Sequence, residues 1–126
     1  MYYAIKDKGV YLNHIKLNKP NKKTIEESIV EFCGSVHKKY IEKKEIFNKL
    51  IQNIEKPGNF MHINSCCVAF TNILSERSDT LIVSTNKLWD IVPGMFMLDE
   101  LGIEKIDKNG VVIYSNVKDI NKIIKS

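Results

Sequence analysis

At 126 residues the chain is one domain's worth of sequence, enough to bury a single core, and with 44% hydrophobic and 27% charged residues its composition is that of a water-soluble globular protein. No apolar run reaches the ~18 residues of a membrane span, so no segment reads as a membrane-crossing helix. The net charge of +4 is almost all lysine, with Arg77 the only arginine, and without arginine forks or aromatic interleaving it argues against nucleic-acid binding.

The pattern opens with "YYAIKDKGVYLN", two β-prone runs at Tyr2–Ile5 and Val10–Leu12. They read as a hairpin in which Gly9 supplies a positive φ. "NKPNKKT" (Asn18–Thr24) is a polar loop, and "SIVEFCG" (Ser28–Gly34) reads as a strand closed by Gly34. From Ser35 to Glu55, Val36, Tyr40, Phe47, Leu50, Ile51 and Ile54 recur at helical spacing, with lysines and glutamates on the other face. "KPGN" stops that helix, "MHI" is a short strand, and "NSCCVAFTNILSER" is a helix beginning at Asn64-Ser65. A strand follows at Thr80–Ser84, then a helix over Ile91–Leu101. The chain closes with "IEKID", a turn at Asn109-Gly110, the strand "VVIYSN" and the helix "VKDINKIIK". This alternation predicts a single α/β domain over 1–126, a layered mixed sheet flanked by helices over 24–126. The hairpin of 1–17 is orphaned from a larger sheet, since an isolated hairpin is marginal by itself.

Asp90 is the first candidate for chemistry. A helix starting at Ile91 makes it the N-cap and puts Pro93 at the third helical position, where a missing N–H costs little. Pro93 also removes a donor that a capping aspartate would use, so the carboxylate has spare acceptor capacity. It serves either as a plain cap or as a ligand for a hard metal or phosphate site. The second candidate is the strand-to-helix step at Asn64-Ser65, whose free N–H groups and hydroxyl would suit an anion or simply cap the helix. Cys33, Cys66 and Cys67 form no disulfide framework and no zinc spacing, and read as small buried hydrophobes. His14, His37 and His62 sit in separate elements without metal-ligand spacing. The N-terminus lacks a secretory signal pattern, and a cytoplasmic location is the expectation.

Taken in order, these segments resemble the second half of the inositol monophosphatase superfamily, the Mg²⁺-dependent phosphatases. "YYAIKDKGVYLN" is similar to the family's hairpin, and "INSCCVAFTNILSERSDTLIV" to its glycine-serine helix segment, with Asp79 at the conventional acidic position. "WDIVPGMFMLDELG" resembles the signature W-D-x-A-A-G, and "VVIYSNVKDINKIIK" the closing strand and helix. The resemblance implies that Asp90 is a partial or vestigial Mg²⁺ ligand and that Ser65 and Cys66 lie on the substrate side. It implies water activated by metal for in-line attack on a phosphate ester.

The departures are specific. The paired-glutamate segment and the D-P-x-D-G-T motif that carry the family's other ligands have no counterpart here. Val83 stands where inositol-specific members commonly have a glutamate, Asn64 replaces a glycine, and Ile103 replaces the second glycine of A-G-G. The expectation is therefore a phosphatase C-terminal half, inactive alone or completed by an N-terminal-half subunit. Two alternatives remain: a self-associating, homo-oligomeric scaffold module that kept the fold, and a phosphate sensor built on Ser65.

Overall fold

The protein's computed structural model describes residues 1–33, 45, 48, 59–63, 66–84, 88–108 and 111–125. At the N-terminus, β1 (Tyr2–Ile5) and β2 (Gly9–Leu12) pair antiparallel in the expected hairpin. Gly9 has φ 102° as its position requires. Tyr3 and Tyr11 are directly opposite, and their rings stack at 5.1 Å. The sequence reading missed a third strand, β3 (Ile15–Lys16), which pairs with β2. It is reached through Asn13 and His14, both at positive φ (50° and 71°), the pattern of a two-residue hairpin loop. With no glycine to mark that loop, only the structure reveals it. The small sheet sends Val10 into the main core and packs on the second helix described below.

The main sheet has five strands in the order β5-β4-β6-β8-β7. These are β4 (Ile29–Cys33), β5 (Asn59–Ile63), β6 (Thr80–Ser84), β7 (Glu104–Lys108) and β8 (Val111–Ser115). The pairs β4–β5 and β4–β6 are parallel, while β6–β8 and β7–β8 are antiparallel, so the layered mixed sheet is as expected. Strand alternation divides the core in two. Leu81, Val83, Val112 and Tyr114 face one layer of helices, α1 (Cys66–Leu74) and α2 (Leu88–Leu101). Val30, Ile82, Val111 and Ile113 face α3 (Ile120–Lys125) and a 3₁₀ turn at Ile25–Glu27. Every residue of β8 is buried, which is why its sequence is a continuous apolar run rather than an alternating one.

The final helix starts at Ile120, later than "VKDINKIIK" suggests. Asp119 has φ 58° and breaks the helical path. Val117 instead forms a parallel bridge with Lys23, docking the end of the expected loop against the sheet. The helix expected over Ser35–Glu55 lies outside the described residues, apart from Glu45 and Asn48, which are helical and exposed. The turn at Asn109-Gly110 lies outside them too.

Candidate functional site

Because β4, β5 and β6 run parallel, their carboxyl ends share one edge of the sheet. α1 follows β5 and α2 follows β6, so both helix N-termini return from that edge. The chain passes from β4 to β5 on one side, then to β6 on the other side of β4. In open α/β sheets such a reversal is where ligands collect, outside the carboxyl ends of the strands. The candidate residues map to this edge by their backbone positions. Cys66 opens α1 and Asp90 lies in the first turn of α2, whereas Ser65 and Asn64 are outside the described residues.

Asp90 is not the N-cap expected from the sequence. α2 begins at Leu88, which makes Asp90 the third helical residue and puts Pro93 inside the helix, at the sixth. The rule that favours proline in a first turn therefore set the helix start too late. At its actual position Pro93 forfeits a bond to the carbonyl of Trp89. The burial of Ile91, Leu98 and Leu101 in the core outweighs that loss. As a first-turn residue, Asp90 still stands at the positive end of the helix dipole, which favours a carboxylate.

The two helices meet at Gly94, the glycine of the W-D signature. A Cβ there would fall 2.3 Å from Cγ of the Phe70 ring, so only glycine allows the ring of α1 to rest on the backbone of α2. Phe70 is itself 4% exposed and belongs to the same apolar cluster as Ile91. The relative placement of the two helix N-termini depends on this contact. On the far side of α2, buried Tyr114 of β8 donates its hydroxyl to Asp99 Oδ1 at 2.9 Å. Burial, and then the Asp99 carboxylate, push the Tyr114 phenol above its ordinary range.

Asp79 does not join this edge. It lies at the amino ends of β4 and β6, where Oδ2 accepts the Ile29 N–H at 2.9 Å and Oδ1 faces Lys23 Nζ at 3.2 Å. Its backbone N–H donates to the Ile29 carbonyl at 2.8 Å. Asp79 thus ties the strand starts together and has a structural role. Val83 lies within the apolar core, 2% exposed, and offers a ligand nothing.

One residue that the sequence reading passed over is Glu31, at the middle of β4 and fully buried. Its Oε1 accepts a hydrogen bond from Asn72 Nδ2 of α1 at 3.0 Å. Burial pushes its carboxyl above the ordinary range, against the smaller opposing influence of Asn72 and Ser78. The available signal was a lone charge inside the apolar run "IVEFC".

Among the described residues no group of three or more His, Cys, Asp or Glu side chains could hold a metal ion. One carboxylate cannot by itself hold Mg²⁺, so a metal site at Asp90 would need donors beyond those described. An open cleft of about 350 Å³ separates the hairpin from the C-terminal end of α2. Lys8, Lys16 and Lys19 share its lining with Asp7 and Glu100, a mixed and solvated charge set far from that of an anion cradle. No helix among the described residues is long and apolar enough to cross a membrane.

A five-stranded mixed sheet with the helices α1 and α2 on one face, joined to a separate small antiparallel sheet, defines the class of this protein. The inositol monophosphatase family profile matches residues 1–122, and the chain belongs to that family. Solved structures agree on the fold. The extragenic suppressor protein SuhB from Bartonella henselae superposes with a TM-score of 0.78 at 14% identity, covering 98% of this chain and 51% of that one. The staphylococcal IMPase-I, complexed with products, gives 0.72 at 19% identity, covering 98% and 48%. An IMPase/NADP phosphatase complexed with NADP and Ca²⁺ gives 0.71 at 20% identity, covering 98% and 49%. The chain thus spans about half the length of the solved structures it matches. No curated protein matches the sequence.

Proposed function

We propose that residues 1–126 form the C-terminal half of a Mg²⁺-dependent phosphomonoesterase of the inositol monophosphatase type, inactive by themselves and completed by the N-terminal half of the fold. The observation that carries this reading is the ordered run of family segments over residues 1–122 in a chain half the length of its relatives. In such an assembly Asp90 would supply one metal ligand from the first turn of α2, and Ser65 and Cys66 would face the substrate from the start of α1. The remaining ligands would come from the other half, because one carboxylate cannot hold Mg²⁺ by itself. When bound, the metal would offset phosphate charge and lower the pKa of an attacking water. This chain's own contribution is positional: the Phe70–Gly94 contact sets the spacing of the two helix N-termini.

The test is a phosphatase assay with Mg²⁺ on inositol phosphate and NADP. The isolated chain is expected to show no turnover above buffer. Robust turnover that Asp90→Asn abolishes would sink the half-enzyme reading and restore a complete site.

A second reading is a non-catalytic, self-associating module. It is favoured by the outer edge of β1, unpaired among the described residues, and by the exposed apolar side chains of Val68, Val92 and Phe96 on α1 and α2. Under this reading light scattering would find a defined oligomer, and a strict monomer at high concentration would remove it.

A further inference from the structure

Glu31 is an unusual residue for the centre of a sheet. It sits on β4, between β5 and β6, with 0% of its surface exposed. Its register partners are Met61 and Leu81, and the alternation of β4 puts it on the side that meets α1. Among the described residues only one of its oxygens has a partner, the Asn72 amide at 3.0 Å. Oε2 makes no hydrogen bond of full geometry there, and the hydroxyl of Ser78, a residue only 1% exposed, lies near enough to Glu31 to favour its charged form weakly without forming one. A fully buried carboxyl with one full hydrogen bond and one weak neighbour carries a large desolvation cost if it is ionised. That cost falls sharply when the carboxyl holds a proton, because a neutral acid is far cheaper to bury and can donate.

The neighbouring charges do not change this balance. α1 carries no charged side chain along Cys66–Leu74, and Glu76 and Arg77 beyond its end are exposed. Asp79, just before β6, is committed to Lys23 and to the Ile29 N–H. On β5, His62 registers with Phe32 and not with Glu31. Among the described residues no cation meets the Glu31 carboxyl, so nothing favours its charged form except the Asn72 and Ser78 dipoles.

We propose that Glu31 is a proton-dependent latch that holds the C-terminal end of α1 on the central strand when neutral and loosens it when ionised. Asn72 is the point of attachment on the helix; its bond to the carboxyl strengthens on ionisation, and the larger cost of burying the charge outweighs that gain. The Asn72 carbonyl also accepts the Arg77 and Ser78 N–H groups at 2.8 and 3.2 Å, so two bonds of the chain reversal after α1 end on this residue. Ionisation draws water into the cluster, and the helix end gives way before the strand does, since β4 is held on both sides. The latch is independent of the phosphatase reading and would operate in an inactive chain.

The sign of the effect is fixed by the raised folded-state pKa. The folded chain keeps its proton at pH values where the unfolded chain has lost it. The stabilising contribution is full below the unfolded value and is lost as pH rises through the folded one.

The experiment is urea unfolding of the wild-type chain and of Glu31→Gln across pH 4 to 8, with carbon-13 titration of the wild-type Glu31 carboxyl. The glutamine side chain keeps the shape and the acceptor for Asn72 but carries no charge at any pH. The variant's folding constant relative to wild type should climb with pH, about tenfold for each unit by which the folded value exceeds the unfolded one. Amide protection at the end of α1, taken relative to the intrinsic exchange rate at each pH, should fall over the same window in the wild type and stay constant in the variant. A constant ratio across the range overturns the latch. So does a carboxyl resonance that titrates at the ordinary glutamate value, and that measurement stands even where the variant fails to fold.

Discussion

α1 and α2 pack side by side on the same sheet and end in the same backbone device, built from opposite materials. At the end of α2, Gly102 adopts φ 82°, its N–H donates to the Asp99 carbonyl, and the Ile103 N–H donates to the Leu98 carbonyl, each at 3.1 Å. These are the two bonds of a Schellman motif, with a glycine in the left-handed position. At the end of α1, Glu76 adopts φ 63°, its N–H donates to the Ile73 carbonyl at 3.2 Å, and the Arg77 N–H donates to the Asn72 carbonyl at 2.8 Å. The same bonds are made around a residue that resists the conformation. After the turn, α2 delivers Ile103 into the apolar core beside Leu98. α1 instead delivers Ser78 into a buried polar cluster with an unpartnered carboxylate oxygen among the described residues. One helix end is sealed by apolar contact and the other depends on a proton and on strained backbone. Local opening should therefore begin at α1.

The largest break in this comparison is Ile103→Ala. Ile103 is 5% exposed and supplies the apolar contact that closes the α2 motif. Its truncation is expected to cost about 3 kcal/mol in urea unfolding, from lost transfer energy and the cavity left behind. A loss near zero would mean that the turn, and not the contact, seals α2. A smaller effect follows from Gly102→Ala. The only described atom near a Cβ at that site is Lys19 Cδ at 3.6 Å, so space is not the difficulty. The left-handed backbone costs an alanine ~1–2 kcal/mol, and the less flexible unfolded chain returns under ~1 kcal/mol. The net expectation is a loss of about 1 kcal/mol. Gly94 presents the opposite case, where the backbone is helical and the obstacle is the Phe70 ring itself.

The sequence made these elements legible to different degrees. Apolar content between turn formers was enough for β1, β4, β6 and β8, with Glu31 the one charge inside β4. It failed at β3, whose two-residue loop of Asn13 and His14 carries no glycine, and at the start of α2, which a proline rule about first turns set at Ile91 where the helix begins at Leu88. Candidate-site residues were nominated through the order of motifs rather than through local chemistry. Asp90 by itself reads as a cap, and the cap turned out not to exist. Glu31 was visible as a charge in an apolar strand, but its partner Asn72 is 41 residues away, and no local pattern links the two. Asp79 shows the converse. An acidic position within a family motif proves to be occupied by a carboxylate that serves the strand starts, committed to Ile29 and Lys23.

The mildest test runs in the stabilising direction. Glu76→Gly gives α1 the same terminal residue that α2 already has. It removes ~1–2 kcal/mol of left-handed strain and adds back up to ~1 kcal/mol through a more flexible unfolded chain. The exposed Glu76 side chain makes no hydrogen bond or ion pair within the described residues, so little else is lost. A gain of about 0.5 kcal/mol in urea unfolding is expected. The same substitution should reduce amide exchange at Ser75 to Ser78 while leaving the end of α2 unchanged. A loss of stability would show that the Glu76 side chain contributes more than its backbone costs. The asymmetry between the two helix ends would then rest on the Glu31 cluster alone.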